Sequence, residues 1–139
     1  MQTDNNMFTL HGINFNQAVK LIKNSEEIVV AYLYGSALSE YFRPDSDIDI
    51  ALLLNPGTDM SSYKKLQLSG ELSSLLNREV HLGIMSKNTL VFTKEIIEKG
   101  LQLFTKNDYF SNLYNATVLS MYAQLRENNQ EVINAYSNR

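Results

Sequence analysis

With 139 residues, 44% of them hydrophobic and 19% charged, the chain is long enough for one domain with a sizeable core and too apolar to be disordered. Its net charge of −3 is spread without any Lys/Arg-rich stretch, so no direct nucleic-acid binding is expected, and a nucleotide or a protein is the expected partner. Cysteine is absent, which excludes disulfides and thiolate metal sites. The longest apolar runs, Ile28 to Tyr34 and Ile48 to Leu54, are too short to span a bilayer. The opening MQTDNNMF lacks the basic and apolar parts of a signal peptide, and a cytoplasmic protein with no membrane partner is expected.

In chain order, Met1 to Gly12 is polar and reads as a flexible tail, with His11 an ordinary member of it. Phe15, Ala18, Leu21 and Ile22 have helical spacing within Asn14 to Asn24. Glu27 to Tyr34 is β-branched and aromatic, a strand. Gly35 to Ser46 is a polar connection in which Ala37, Leu38 and Tyr41 form one apolar side of a helical turn, broken by Pro44-Asp45. Asp47 to Leu54 is a second strand, and Asn55-Pro56-Gly57 is a turn. Asp59 or Ser61 caps the amphipathic helix Tyr63 to Leu76, whose Leu66, Leu68, Leu72, Leu75 and Leu76 are its apolar members; Lys64 and Lys65 fall on its solvated face. Glu79 to Ile84 is a third strand, Lys87 to Lys99 a helix stopped by Gly100, and Leu101 to Phe104 a fourth strand. Asn107 to Asn138 is one long helical pattern with large apolar residues almost to its end, more than a small domain covers, which points to a protein interface. The fold class is α/β (α+β): a small mixed sheet with helices packed on it and a long C-terminal helix.

The stretch with chemistry in it runs from Tyr32 to Leu54. An apolar strand ends in Gly35-Ser36, ten polar residues follow, and Asp47-Ile48-Asp49 opens the next strand. Residues two apart in a strand share a face, so Asp47 and Asp49 project together while Ile48, Ile50, Leu52 and Leu54 enter the core. Two adjoining carboxylates need a counter-charge, and divalent cations such as Mg2+, shared with substrate phosphates, supply one. Two-metal sites hold their ions roughly 3.5–4 Å apart across an in-line displacement. Glycine permits a tight turn and close approach of a phosphate, and serine adds a hydroxyl and an exposed N–H.

Gly35-Ser36, ten residues, then Asp47-Ile48-Asp49 resembles the signature of the polymerase β nucleotidyltransferase superfamily. Arg43 to Leu54 and Asn77 to Phe104 are similar to its minimal, MNT-type branch, which includes antitoxins that partner HEPN-type toxins. The resemblance covers roughly Val29 to Phe104. It implies a polymerase β-type fold with residues 13–105 as the nucleotidyltransferase domain, 1–12 as the tail and 106–139 as a packing and partner-binding helix. It implies transfer of a nucleoside monophosphate, AMP from ATP, to a hydroxyl acceptor such as a tyrosine of a HEPN-type toxin. Asp47 and Asp49 would hold two Mg2+ ions, with Mn2+ possible, and Gly35, Ser36 and Arg43 would bind the nucleotide phosphates. The alternative is a degenerate MNT-fold antitoxin that neutralises its partner by binding only. A small-molecule nucleotidyltransferase of the aminoglycoside type is disfavoured, because no second domain is present to hold such a substrate. The sequence leaves the oligomeric state open, with a homo- or a hetero-oligomer compatible with it.

Two departures from the family pattern bear on catalysis. Arg78-Glu79-Val80-His81-Leu82 places His81 where the family carries a third aspartate. Histidine there is a general base, a ligand for a softer metal such as Mn2+, or a mark of lost turnover, with Glu79 as a compensating carboxylate. The connection has Ser39 and Glu40 where relatives often carry Arg-Gly, and Arg43 is the cation that compensates if the loop folds back.

Overall fold

A computed structural model describes residues 8–137. Residues 1–7 of the expected tail lie outside the described residues. The remainder is not loose: β1 (Thr9–Leu10) and β2 (Ile13–Asn14) pair as a small antiparallel hairpin. The chain continues through α1 (Asn16–Lys23), β3 (Ile28–Tyr34), a 3-10 turn (Gly35–Leu38), β4 (Ile48–Leu54), α2 (Ser62–Leu76) and β5 (Val80–Ile84). A second 3-10 turn (Lys87–Thr89) then leads into α3 (Leu90–Lys99), β6 (Leu101–Thr105) and α4 (Asp108–Ser137). The mixed sheet has the order β5-β4-β3-β6; β3 runs antiparallel to both β4 and β6, and β4 and β5 are parallel. A parallel pair needs a crossover, and α2 supplies it.

Strand alternation sorts the core into two layers. On one face Ile48, Ile50, Leu52 and Leu54 meet Phe15 and Ile22 of α1 and Leu68, Leu72 and Leu76 of α2. On the other, Val30, Tyr32, Ala51 and Leu53 meet Ile96 of α3 and Phe110 and Tyr114 of α4. Asp49 belongs to this second face ahead of Ala51 and Leu53, so the acidic end of the strand is open and the rest is covered, as its sequence predicts.

Helix ends follow local chemistry. Ser61 Oγ accepts from Lys64 N at 3.1 Å and starts α2, while Asn77 ends it in the left-handed region at φ 55°. Gly100 ends α3 because a Cβ there would stand 2.5 Å from the Ile96 carbonyl. Not every apolar residue of the periodic patterns goes inward. Leu66 and Leu75 of α2 and Tyr41 of the connection are 73%, 43% and 76% exposed; on α2 it is Leu68, Leu72 and Leu76 that face the sheet and α1. From Ala123 through Ala135 every residue of α4 is exposed: the helix outruns the body that its first half packs on. Among the described residues no helix is long and apolar enough to cross a membrane.

Candidate active site

The antiparallel register of β3 and β4 sets Asp49 opposite Tyr34, one residue before the turn. Gly35 has φ +76°, and a Cβ on it would lie 2.5 Å from Asp49 Oδ2. The carboxylate thus occupies the space that any side chain at position 35 would need. Ser36 Oγ donates to the Asp47 carbonyl at 3.4 Å, a second tie between turn and strand. The turn is held from outside by the N-terminal hairpin: His11 Nε2 donates to the Ala37 carbonyl at 2.8 Å, and its ring stacks on Phe42 at 4.5 Å. His11 is therefore a brace for the turn and not a tail residue. Its partner is 26 positions away, so sequence carried no signal for it. Arg78 holds the other end of the connection, donating from Nη1 to the carbonyls of Arg43 (3.2 Å) and Ser46 (3.0 Å) with its guanidinium 4.7 Å from the Phe42 ring centre.

The parallel register of β4 and β5 sets His81 beside Asp49. His81 Nε2 lies 3.0 Å from Asp47 Oδ2 and 3.0 Å from Glu79 Oε2. The hydrogen bond to Asp47 raises the His81 pKa above its ordinary value, burial opposes it, and the charges of Glu79, Asp47 and Asp49 add to the rise. Asp49 is also raised, chiefly by burial; Asp47 adds to the rise and His81 opposes it. Ligand atoms of Asp47, Glu79 and His81 all fall within 4.8 Å of one another. Two carboxylate oxygens with an imidazole nitrogen fit a divalent cation of the Mg2+ or Mn2+ kind, with the nitrogen tilting the set toward Mn2+. Sequence pairs Asp47 with Asp49; in the fold Asp47 groups with Glu79 and His81, while Asp49 tucks against the turn.

A family model for the polymerase β nucleotidyltransferases matches residues 16–109. The chain belongs to that family. It is similar to the protein adenylyltransferase MntA of Shewanella oneidensis, 29% identical over 123 residues that cover 87% of this chain and 86% of the relative. Its fold is similar to a crystal structure of a toxin-antitoxin with AMP-PNP, at TM-score 0.70 and 26% identity over 86% of this chain and 95% of the other. It is also similar to a re-refined structure of a tri-AMPylated Shewanella oneidensis HEPN toxin in complex with MNT antitoxin, at TM-score 0.66 and 26% identity, covering 86% and 92%.

Within this nucleotidyltransferase the Gly-Ser turn and the acidic strand end lie at one end of the sheet. The expected site residues Gly35, Ser36, Asp47, Asp49 and His81 come together there. Arg43 contributes differently: its carbonyl accepts from Arg78 and its N–H donates to Ser46 Oγ at 2.9 Å, and no contact among the described residues brings its guanidinium to the turn. Lys64, expected in solvent, pairs with Glu27 at the opposite end of β3. A hollow of about 570 Å³ between Glu26, Glu27, Asn55 and Lys64 is at that opposite end and holds none of these groups. Two smaller grooves flank the site. One of about 430 Å³ between α2 and β5 is lined by Ser62, Lys65, Leu66, Ser69, His81 and Leu82. The other, about 380 Å³, lies beyond the Gly35 turn against α3.

Proposed function

We propose that this chain is the antitoxin of a toxin–antitoxin pair and acts as a protein adenylyltransferase, moving AMP from ATP to a tyrosine hydroxyl of a HEPN-type toxin. The observation that carries the reading is the seating of Asp49 against Gly35, with Asp47 and His81 alongside. The family membership, the adenylyltransferase relative and the AMP-PNP and tri-AMPylated neighbours support it. In this reading the acceptor oxygen bonds to the α-phosphorus as the bond to the β-phosphate oxygen breaks, releasing pyrophosphate. The hydroxyl proton passes to His81 Nε2 in its neutral form. Asp47 and Asp49, with Glu79 at hand, would hold two divalent cations, Mg2+ or Mn2+, and these would supply charge neutralisation for the triphosphate. Gly35 and Ser36 present backbone N–H groups and a hydroxyl to the phosphates. The groove between α2 and β5 leads to His81 past Leu66 and Leu82 and suits an aromatic acceptor side chain. Residues 13–105 form the catalytic unit, and the exposed apolar residues of α4 take part in holding the partner. The reaction is set in the cytoplasm, where ATP is supplied.

A second reading, neutralisation by binding alone, is favoured by one observation: His81 Nε2 is shared between two carboxylates, which stabilises the protonated ring and opposes its use as a base. Labelled ATP with Mg2+ or Mn2+ and the co-expressed toxin separates the two. Label on the toxin, or a mass gain of one nucleotide per modified tyrosine, supports transfer. A tight complex without label under either metal supports binding alone, and label restored by His81→Asp would trace the loss to the absent third carboxylate.

A further inference from the structure

Across the active end of the sheet the candidate groups follow the order of the strands. The registers set His81 beside Asp49, Asp49 beside Tyr34, and Leu33 beside Leu101. The order is therefore Glu79 and His81 on β5, Asp47 and Asp49 on β4, Gly35-Ser36 after β3, and Lys99-Gly100 ahead of β6. The three carboxylates all lie on one side of the Gly-Ser turn. On its other side is the groove of about 380 Å³, to which Gly35, Ser39, Glu95 and Lys99 contribute. Lys99 is 75% exposed at its side chain, and its Nζ is 3.1 Å from Glu95 Oε2, a surface pair within one helix.

A nucleoside triphosphate with its α-phosphate at the aspartates has two ways to lay out its outer phosphates. Toward β5 lies the groove assigned above to the acceptor hydroxyl, and an in-line displacement puts the leaving pyrophosphate on the opposite side of the α-phosphorus. Toward β6 the outer phosphates pass the Gly35-Ser36 turn and reach the groove and its ammonium group. In-line geometry selects the second course. Of the other nearby cations, Lys65 lines the groove on the β5 side, which the reading above gives to the acceptor, Lys94 is 2.8 Å from Glu98 and over the Tyr122 ring, and Arg43 makes no side-chain contact with the turn among the described residues. We infer that Lys99 is the side chain that receives the β- and γ-phosphates, and that Glu95 competes with those phosphates for it. Lys99 is thus a substrate-binding residue that selects triphosphate over monophosphate. The inference rests on the nucleotidyl-transfer reading and adds to it the course of the substrate.

Calorimetric titration of the full chain with ATP and with AMP, in Mg2+, tests it. Lys99→Met is expected to weaken ATP binding about tenfold to a hundredfold, the worth of a charge-assisted hydrogen bond, and to leave AMP binding within about twofold. Lys99→Arg retains ATP binding, and Glu95→Gln tightens it. In the transfer assay Lys99→Met raises KM for ATP more than it lowers kcat. ATP binding by Lys99→Met equal to wild type would overturn the inference and leave the transfer reading standing. Equal losses for ATP and AMP would also overturn it, as the mark of a structural role, and weaker ATP binding by Glu95→Gln would overturn the competition. A wild-type protein that binds neither nucleotide would sink the reading and the inference together.

Discussion

Asp49 and Gly35 exclude each other's bulk: the carboxylate Oδ2 stands 2.5 Å from where a β-carbon at position 35 would be. Gly35→Ala therefore has to displace the carboxylate and hold a left-handed φ of +76° that alanine disfavours. The expected cost is about 1–3 kcal/mol of stability and most of the transfer activity. Gly70, in the middle of α2 with nothing within 4 Å of its would-be Cβ, is the control. Gly70→Ala should stabilise by about 0.5–1 kcal/mol and leave activity alone. Thermal denaturation and the toxin-labelling assay read both.

The two aspartates should separate stability from activity. Burial raises the Asp49 pKa, so its charged form is disfavoured in the folded state and a neutral amide of the same shape removes that penalty. Asp49→Asn is expected to melt at or above the wild-type temperature while losing about a hundredfold or more in transfer. Asp47→Asn is expected to lose transfer similarly. Wild-type activity in either variant would remove that residue from the site.

His81 offers a pH readout. Its folded pKa lies above the ordinary 6.5, with the Asp47 hydrogen bond as the main cause. A raised pKa means that the pair contributes stability fully below 6.5 and loses it as pH rises through the folded value. In an NMR titration of the metal-free protein, the imidazole midpoint should exceed 6.5 and fall back toward it in Asp47→Asn. Mg2+ should lower the wild-type midpoint as well, because the cation competes with the proton for the same carboxylates. A midpoint indifferent to Mg2+ would count against a cation at this group.

At the far end of the sheet, Glu27 and Lys64 tie the start of β3 to α2. The Glu27 pKa is lowered from 4.5, mainly by the hydrogen bond from Lys64, with its own backbone amide next. The stabilisation is thus complete above 4.5 and lost as pH falls through the lowered value. Glu27→Gln should show a shallower loss of melting temperature on acidification than wild type. The difference should shrink in high salt, since Lys64 is 44% exposed.

The projecting half of α4 should matter to the partner and not to the fold. Leu125 and Val132 are 37% and 54% exposed and lie on the stretch of α4 from Ala123 to Ala135 whose residues are all exposed. Leu125→Glu with Val132→Glu is expected to leave the isolated protein's stability within about 0.5 kcal/mol. The same pair should weaken the toxin complex measured by co-purification or titration. An unchanged complex would move the partner surface elsewhere.

Much of this molecule can be read from local pattern. Alternation in Ile48 to Leu54 placed both core layers and put Asp47 and Asp49 at an open strand end, because side-chain direction in a strand is a property of the backbone alone. Ser61 starts α2, and Asn77 and Gly100 end their helices, through contacts within a few residues. Tertiary structure decided what depends on which strands adjoin. The order β5-β4-β3-β6 brought Glu79 and His81 to Asp47, drew Lys99 to the far side of the Gly35 turn, and folded His11 and Arg78 onto the connection. Those neighbours are separated by tens of residues, and nothing in the local spacing of a chain encodes its distance to a distant segment. The same reason explains Leu66, Leu75 and the second half of α4: helical periodicity marks an apolar face, but only the arrangement of the other elements determines whether that face has anything to meet.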